Sequence, residues 1–381
     1  MSRREALGGR LARLKKEGLS PPVSNREGKK SAESYGLHKL EGWKEIRPFL
    51  WKRSVVLENP LSVMYPRSLL LPGGTTCKQL LFYDTETTGL STGAGTIPFL
   101  IGVGKVVDRG FEIIQLFLAD YPGEPAMLEE LQSLFRDESV YISYNGKSYD
   151  SHLINTRLLM NGFRAKPRVE VDLLYTSRRL WKNILANCRL ESIESEILSI
   201  KRGPDIPGSQ IPDVWFDFLK KGETEKLERV FSHNLQDIYS LALLLHQMED
   251  IIGGGALTIP CDRFALAKLL LLWDREEGIG LLEKEWRNGN RKAGEFLSIY
   301  WKRRGEWEKA LELWEDLNSR GCNFFSVEEL AKYYEHKVKD YKKALTYIDR
   351  MLKGPINPQH DVKEKIIYRK KRLLEKMDRK A

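Results

Sequence analysis

The chain has 381 residues, of which 41% are apolar and 30% charged, and its formal net charge is +9. This composition is typical of a soluble globular protein with room for two or three domains. No apolar run approaches the roughly 18 to 20 residues that a membrane span needs, and the basic start lacks the apolar stretch of a signal peptide, so we expect a cytoplasmic protein that binds no membrane. Four isolated cysteines without a CxxC pair argue against a zinc ribbon and a disulfide framework.

The positive charge is concentrated at the two ends of the chain. Residues 1–50 carry 12 Lys and Arg against 6 Asp and Glu, and residues 335–381 carry 15 against 7, which leaves the middle slightly acidic. A basic exterior around an acidic centre suits a protein that attracts a polyanion and handles it with a metal ion. Basic tails that are merely solvated are the alternative, and charge alone does not distinguish DNA from RNA or from acidic protein.

The first two thirds of the chain predict an α/β domain. Residues 1–43 have the composition of a basic, partly disordered leader. Three strand-like segments then predict an antiparallel meander, namely LLFYDTE, TIPFLIGVGKVVD and GFEIIQLFLAD. Helical and strand-like segments alternate after them. We therefore expect residues 44–255 to form a mixed central sheet flanked by helices. GVGK does not predict a phosphate-binding loop, because Phe99 and Val106 stand where that motif needs Gly and Ser or Thr.

The last third of the chain is continuously helical and contains a repeat. FLSIYWKRRGEWEKALELWEDL aligns with LAKYYEHKVKDYKKALTYIDRML when shifted by 34 positions, so that Ala310 falls on Ala344 and Trp307 on Tyr341. This period is typical of tetratricopeptide repeats, in which paired helices stack because neither buries its apolar face alone. We expect residues 262–381 to form an all-α tetratricopeptide-like domain that ends in a basic helix. Generic helical hairpins are the alternative.

Two carboxylates follow an apolar strand in FYDTETTGL. On a strand, Asp84 and Glu86 project from the same face and repel each other, so a cation between them is expected. A divalent metal fits, because hard cations such as magnesium take oxygen ligands. A strand that simply runs into a polar turn is the alternative for these residues alone.

Two further segments carry acidic residues at the expected places. SYNGKSYDSHLI puts Asp150 at the start of a predicted helix, where it is either a metal ligand or an ordinary N-cap. HNLQD puts His233 and Asp237 four residues apart on one face of a predicted amphipathic helix, where a surface pair is the alternative. Four carboxylates in this order, each on a suitable element, indicate a shared site.

Four segments together resemble a known superfamily, namely FYDTETTGL, YNGKSYDSHLI, VDLLYTSRRLWK and HNLQDIYSLALL. They are similar to the DEDD exonucleases of ribonuclease-H-like fold, and within these to the YprB-type (mitomycin-repair) bacterial exonucleases. The similarity covers about residues 78–250, and the helical repeats extend it because this family also ends in tetratricopeptide-like helices. It implies a metal-dependent 3′-to-5′ exonuclease that hydrolyses DNA in repair, beside a helicase or another protein partner bound through the repeats.

The resemblance also implies roles for individual residues. Asp84, Glu86, Asp150 and Asp237 would bind two magnesium or manganese ions, which activate a water and stabilise an in-line displacement. His233 would accept the proton from that water. The His-type relatives place histidine five residues before the last Asp and the Tyr-type relatives place tyrosine four before it. Here a histidine stands at the tyrosine spacing, so His233 is either the general base or a residue that orients water.

Other residues near these motifs are candidates for binding the substrate. By resemblance, Thr87, Gly89 and Leu90 would contact the 3′-terminal nucleotide. Asn145 and Lys147 would contact the phosphate backbone, although Asn-Gly is also an ordinary tight turn.

Two other functions are compatible with the sequence. An RNA exonuclease would use the same metal site and differ in its contacts to the 2′-hydroxyl. An adaptor with an inactive nuclease fold would act through its repeats alone.

Overall fold

The structure is a computed structural model that describes residues 37, 40–61, 68–89, 93, 95–203, 206–254, 259–321, 324–353 and 360–379. Most of the predicted leader therefore lies outside the described residues. Where the structure begins to be continuous, Leu40 and Trp43 are already buried in the core of the first domain.

A sheet of seven strands forms the centre of the first domain, in the spatial order β1-β2-β5-β4-β3-β6-β7. Strands β1 to β5 pair antiparallel, whereas β3 pairs with β6, and β6 with β7, in parallel. The predicted meander is thus β3-β4-β5, and the predicted mixed sheet is confirmed. The strands are Lys44–Arg47 (β1), Leu50–Leu57 (β2), Leu80–Thr87 (β3), Pro98–Val107 (β4), Gly110–Leu118 (β5), Val140–Ser143 (β6) and Val169–Asp172 (β7).

Helices cover both faces of this sheet, which explains why its central strands are apolar on both sides. Along β3, Leu81 and Tyr83 join one core and Leu80 and Phe82 the other. The long helix α6 contributes to both cores. The helices of this domain are Glu124–Leu134 (α1), Asp150–Met160 (α2), Leu173–Trp181 (α3), Leu190–Glu196 (α4), Ile211–Lys221 (α5) and Leu227–Gly253 (α6).

Helices alone form the last third of the described chain. Ala310 and Ala344, which the 34-residue repeat aligns, are both fully buried between paired helices. The predicted helical region is confirmed, whereas its tetratricopeptide class and the domain limits stay predictions. Its helices are Arg263–Leu272 (α7), Glu277–Arg287 (α8), Arg291–Arg304 (α9), Trp307–Ser319 (α10), Phe324–Tyr333 (α11), Tyr341–Lys353 (α12) and His360–Asp378 (α13), with a π-helical turn at Tyr334–Val338.

The two regions are joined at the start of α7. Trp181 is fully buried at the end of α3 and donates from Nε1 to the carbonyl of Pro260 at 3.0 Å. Leu266, Leu269 and Leu270 of α7 pack into the core of the first domain. Among the described residues, no helix combines the length and the apolar content needed to cross a bilayer.

A buried carboxylate holds the C-terminal helix in place. Glu335 is 2% exposed and accepts hydrogen bonds of 2.8 Å from Arg369, Arg372 and Lys376 of α13. Burial raises the pKa of Glu335, but the bonds from Lys376 and Arg372 outweigh it and lower the pKa to about 2. Because this value lies below that of an unfolded glutamate, the stabilisation is fully present above about pH 4.5 and is lost as the pH falls toward 2.

Glu335→Gln is therefore expected to lower the free energy of unfolding at pH 7 by about 1–3 kcal/mol, the contribution of hydrogen bonds to a charged group. The difference from the wild type should shrink as the pH falls below 4. Urea unfolding followed by circular dichroism at pH 7 and pH 3 measures both effects. Glu312→Gln, at an exposed position of α10, is the matched control. A difference that is equal at the two pH values would contradict the assignment.

Candidate functional site

Strand β3 presents the first two carboxylates of the candidate site. Asp84 and Glu86 are partly buried and lie on the same face of the strand, because one residue separates them. Asp84 pairs in register with Gly102 of β4. A Cβ atom at position 102 would overlap Asn234 of α6, so the glycine lets that helix approach the strand closely. The first glycine of GVGK is therefore needed for close packing of strand and helix. Asn234 also donates a hydrogen bond to Asp84 Oδ2 at 3.1 Å.

Helix α2 contributes the third carboxylate at its first residue. Asp150 is 7% exposed, and its Oδ1 accepts a hydrogen bond from Thr85 Oγ1 of β3. The N-cap position belongs to Tyr149, so the alternative in which Asp150 merely caps the helix is wrong. Its side chain is instead directed toward the strand that carries Asp84.

Helix α6 contributes the fourth carboxylate and the histidine. His233 and Asp237 lie on the same face as predicted, with His233 Nε2 3.5 Å from Asp237 Oδ2. Both side chains are largely buried. Asn234, on the same turn of the helix, is oriented by Gln115 of β5, whose amide donates to Asn234 Oδ1 at 3.0 Å.

The other three carboxylates lie close enough to Asp84 to act on its ionisation. Burial raises the pKa of Asp84 well above its ordinary value, and the negative charges of Asp237, Glu86 and Asp150 raise that pKa further. Burial also raises the pKa of Asp150 to about 6, against the hydrogen bond from Thr85. A group of carboxylates in this condition takes up protons or cations.

The residues present fit a divalent metal by their chemistry. Carboxylates on β3, α2 and α6 lie close enough to Asp84 to raise its pKa, and carboxylate oxygens are the ligands that magnesium and manganese take. Over the part of the chain that the structure describes, no group of three or more His, Cys, Asp or Glu side chains is arranged closely enough to hold a metal ion as it stands. The ligand set of Asp84, Glu86, Asp150 and Asp237 therefore stays a prediction.

An arginine lies next to Asp237. Arg202, in the segment after α4, forms an ion pair with Asp237 Oδ1 through Nη2 and with Glu194 through Nε. Glu194 is completely buried and also accepts from Ser240 Oγ at 2.5 Å. Burial raises the pKa of Asp237 to about 6, although the neighbouring His233 and Arg202 lower it.

Both ring nitrogens of His233 lie inside this network. Arg202 Nη1 is 3.1 Å from Nδ1, and Asp237 Oδ2 is 3.5 Å from Nε2. Because a guanidinium only donates hydrogen bonds, Nδ1 acts as the acceptor and the proton of the neutral ring is on Nε2. In this arrangement His233 is oriented by its neighbours.

The predicted substrate-binding residues lie around the same loops. Thr87 Oγ1 donates to the carbonyl of Gly89 at 2.7 Å, and the Tyr149 hydroxyl donates to the same carbonyl. Leu90 lies outside the described residues. Asn145 and Lys147 have exposed side chains in the loop before Asp150.

The backbone of that loop is fixed by Asp172 at the end of β7. The Asp172 carboxylate accepts from the amides of Asn145 at 2.8 Å, Lys147 at 3.3 Å and Leu174 at 3.0 Å. Asn145 has a φ of +65°, which asparagine tolerates better than most residues. The turn interpretation of Asn-Gly is therefore correct, while backbone binding by the exposed side chains stays a prediction.

The sequence alone assigned no role to several residues of the site. Asn234 stands inside HNLQD, and only its position beside His233 could have indicated it. Arg202 lies in SIKRGPD and Glu194 in SIESE, and neither segment contains a motif that distinguishes these residues from other surface charges. Asp172 lies in VEVDLL, where a strand ending in Asp before a helical segment is a recognisable capping pattern.

Known proteins share sequence and fold with this chain. A family model of the RNase_H superfamily, RNase_H_2, matches residues 81–249. The uncharacterised protein YprB of Bacillus subtilis strain 168 is 33% identical over 310 residues, which are 78% of this chain and 75% of that protein. The expected ribonuclease-H-like fold is confirmed.

Solved structures give a weaker likeness. A structure of exonuclease I is 15% identical, with a TM-score of 0.30 over 46% of this chain and 43% of that chain. A family B DNA polymerase from the archaeon Pyrobaculum calidifontis is 14% identical, with a TM-score of 0.37 over 68% and 34%. This chain thus spans less than half of either protein, and these TM-scores carry no argument about function.

The similarity to the Bacillus subtilis protein is one of sequence, and it covers both the α/β domain and part of the helical region. The chain belongs to the family of Bacillus subtilis YprB and carries a domain of the RNase H superfamily.

Proposed function

We propose that the protein is a metal-dependent 3′-to-5′ exonuclease that degrades DNA, single-stranded or from exposed 3′ ends. The observation that carries this proposal is a pair of hydrogen bonds that join the three elements bearing the four acidic residues. Thr85 of β3 donates to Asp150 of α2, and Asn234 of α6 donates to Asp84 of β3. Membership of the RNase H superfamily supports a nuclease. The 3′-to-5′ direction of degradation and the preference for DNA rest on the resemblance of the motifs to those of DEDD exonucleases.

Asp84, Glu86, Asp150 and Asp237 would hold two magnesium or manganese ions. When bound, such a pair activates a water and stabilises the attacking and leaving oxygens of phosphodiester hydrolysis. Asn234 and Thr85 fix the orientations of Asp84 and Asp150 through hydrogen bonds, which keeps these carboxylates in place for a ligand.

His233 would either receive the proton of the attacking water or orient that water. Because Nε2 carries the proton of the neutral ring and faces Asp237, the ring can accept a proton only at Nδ1, and only after the contact between Nδ1 and Arg202 opens. If the Arg202 contact opens when substrate binds, His233 acts as the base; if it stays closed, His233 only orients the water. We further propose that the enzyme acts in DNA repair, beside a helicase or another protein bound through the helical region.

A labelled oligonucleotide assay tests this function. With magnesium or manganese, single-stranded DNA labelled at the 5′ end should yield a ladder that shortens from the 3′ end, and EDTA should abolish it. An RNA of the same sequence, run in parallel, decides between the two polymers. Degradation of RNA alone would establish the RNA exonuclease. No degradation of either polymer with either metal would favour an adaptor.

A further inference from the structure

A cavity of about 400 Å³ adjoins His233 and Arg202. It lies between the segment after α4, which contributes Lys201 and Arg202, and helix α6, which contributes Arg229 and Ser232. His233 forms part of its wall, so the cavity opens directly beside the candidate catalytic residues.

The cavity is lined by three cations and one acid. Lys201 and Arg229 are exposed, and Glu228 is the acidic residue at the edge. No carboxylate in the described parts of the chain forms an ion pair with Lys201 or Arg229, whereas Arg202 is held by Glu194 and Asp237. Two of the three cations therefore keep their donors available for an anion.

The spacing on α6 connects the cavity to the carboxylates. Arg229, His233 and Asp237 follow one another at intervals of four residues and so share one face of the helix. One helical turn is about 5.4 Å, so Arg229 stands about one turn from His233 and two from Asp237. Along this face the charge changes from positive at the cavity to negative at the carboxylates.

We propose that this cavity is a phosphate subsite, in which Lys201 and Arg229 bind an internal phosphodiester of the nucleic-acid strand next to the one that is cleaved. The proposal rests on the proposed nuclease function and adds to it the residues that hold the strand. A phosphodiester is the fitting ligand because it is an anion with several acceptor oxygens, and Lys, Arg and Ser side chains supply donors. Arg202, fixed by the buried Glu194, forms the inner wall of the subsite.

Binding of an oligonucleotide without metal isolates this contribution. The full chain in EDTA is titrated into a fluorescent single-stranded DNA with hydroxyl ends, and anisotropy is recorded between 50 and 200 mM salt. The hydroxyl ends ensure that only internal phosphodiesters are bound. Lys201→Gln/Arg229→Gln is compared with the wild type. Lys220→Gln/Arg109→Gln is the control, because these two residues are also exposed, carry the same charges and do not line the cavity.

The cavity variant should bind roughly tenfold more weakly, and the slope of log K against log salt should fall by about 0.7, since the two side chains bind one phosphodiester and each single-strand phosphate contact contributes about 0.7. The control variant should keep the wild-type slope. Equal slopes in the two double variants would overturn the subsite. Retained degradation of DNA by the wild type would then leave the proposed function standing, whereas a wild type that neither binds nor degrades nucleic acid would remove both.

Discussion

Asp84→Asn is expected to reduce metal-dependent degradation of single-stranded DNA by on the order of a thousandfold. The substitution removes one of the four proposed metal ligands, and a metal ion contributes several kcal/mol to such a reaction. At about 1.36 kcal/mol for each factor of ten, the loss of most of that contribution gives the expected factor. Rates of shortening of a 5′-labelled oligonucleotide, measured with excess manganese and magnesium, provide the test.

The same substitution should not unfold the protein. Without the Asp84 charge, the repulsion from Asp237, Glu86 and Asp150 is relieved, so the melting temperature of the metal-free variant should equal or exceed that of the wild type. Asp108→Asn is the matched control, because Asp108 is an exposed aspartate paired with Lys78. Full activity in Asp84→Asn would show that the carboxylates around it do not form the active site. A lowered melting temperature would show that Asp84 is needed for folding.

The sequence predicts most of the fold because the fold depends on periodic patterns. The short apolar runs in LLFYDTE and GFEIIQLFLAD, bounded by turn signals, predict strands, and their order along the chain predicts the antiparallel meander. The 34-residue period places Ala310 and Ala344 at equivalent buried positions of paired helices. These predictions succeed because the residues that a strand or helix buries follow one another at regular intervals along the sequence.

The candidate site is predicted only where its residues fall in ordered motifs. Asp84, Glu86, Asp150, His233 and Asp237 were recognisable because each stands at a fixed place on a strand or helix. Long-range partners leave no such pattern. The role of Gly102 depends on its position opposite Asp84 and against Asn234. The role of Arg202 depends on Glu194, which lies on the preceding helix and is fully buried. Contacts between distant segments are a property of the packed structure.

Arg202→Ala is expected to lower the free energy of unfolding by about 3–5 kcal/mol, because it leaves Glu194 as a buried charge without its cation. Asp237 loses the same partner, so that its repulsion of Asp84 is no longer offset by Arg202. Glu194→Gln should cost less, since Arg202 then keeps Asp237 and its side chain is 13% exposed. Urea unfolding of the metal-free protein compares the three chains.

The double variant Arg202→Ala/Glu194→Gln separates an ion pair from simple packing. If Arg202 acts as the counter-charge of Glu194, the double variant is more stable than Arg202→Ala alone, because the uncompensated carboxylate is gone. If Arg202 stabilises the protein only by filling space, the two substitutions add, and the double variant is the least stable of the series. Burial of Glu194 at 0% exposure, with Ser240 on one oxygen and Arg202 on the other, favours the first outcome. The charge of Arg202 then holds Asp237 and His233 in position, and the buried carboxylate of Glu194 in turn holds Arg202.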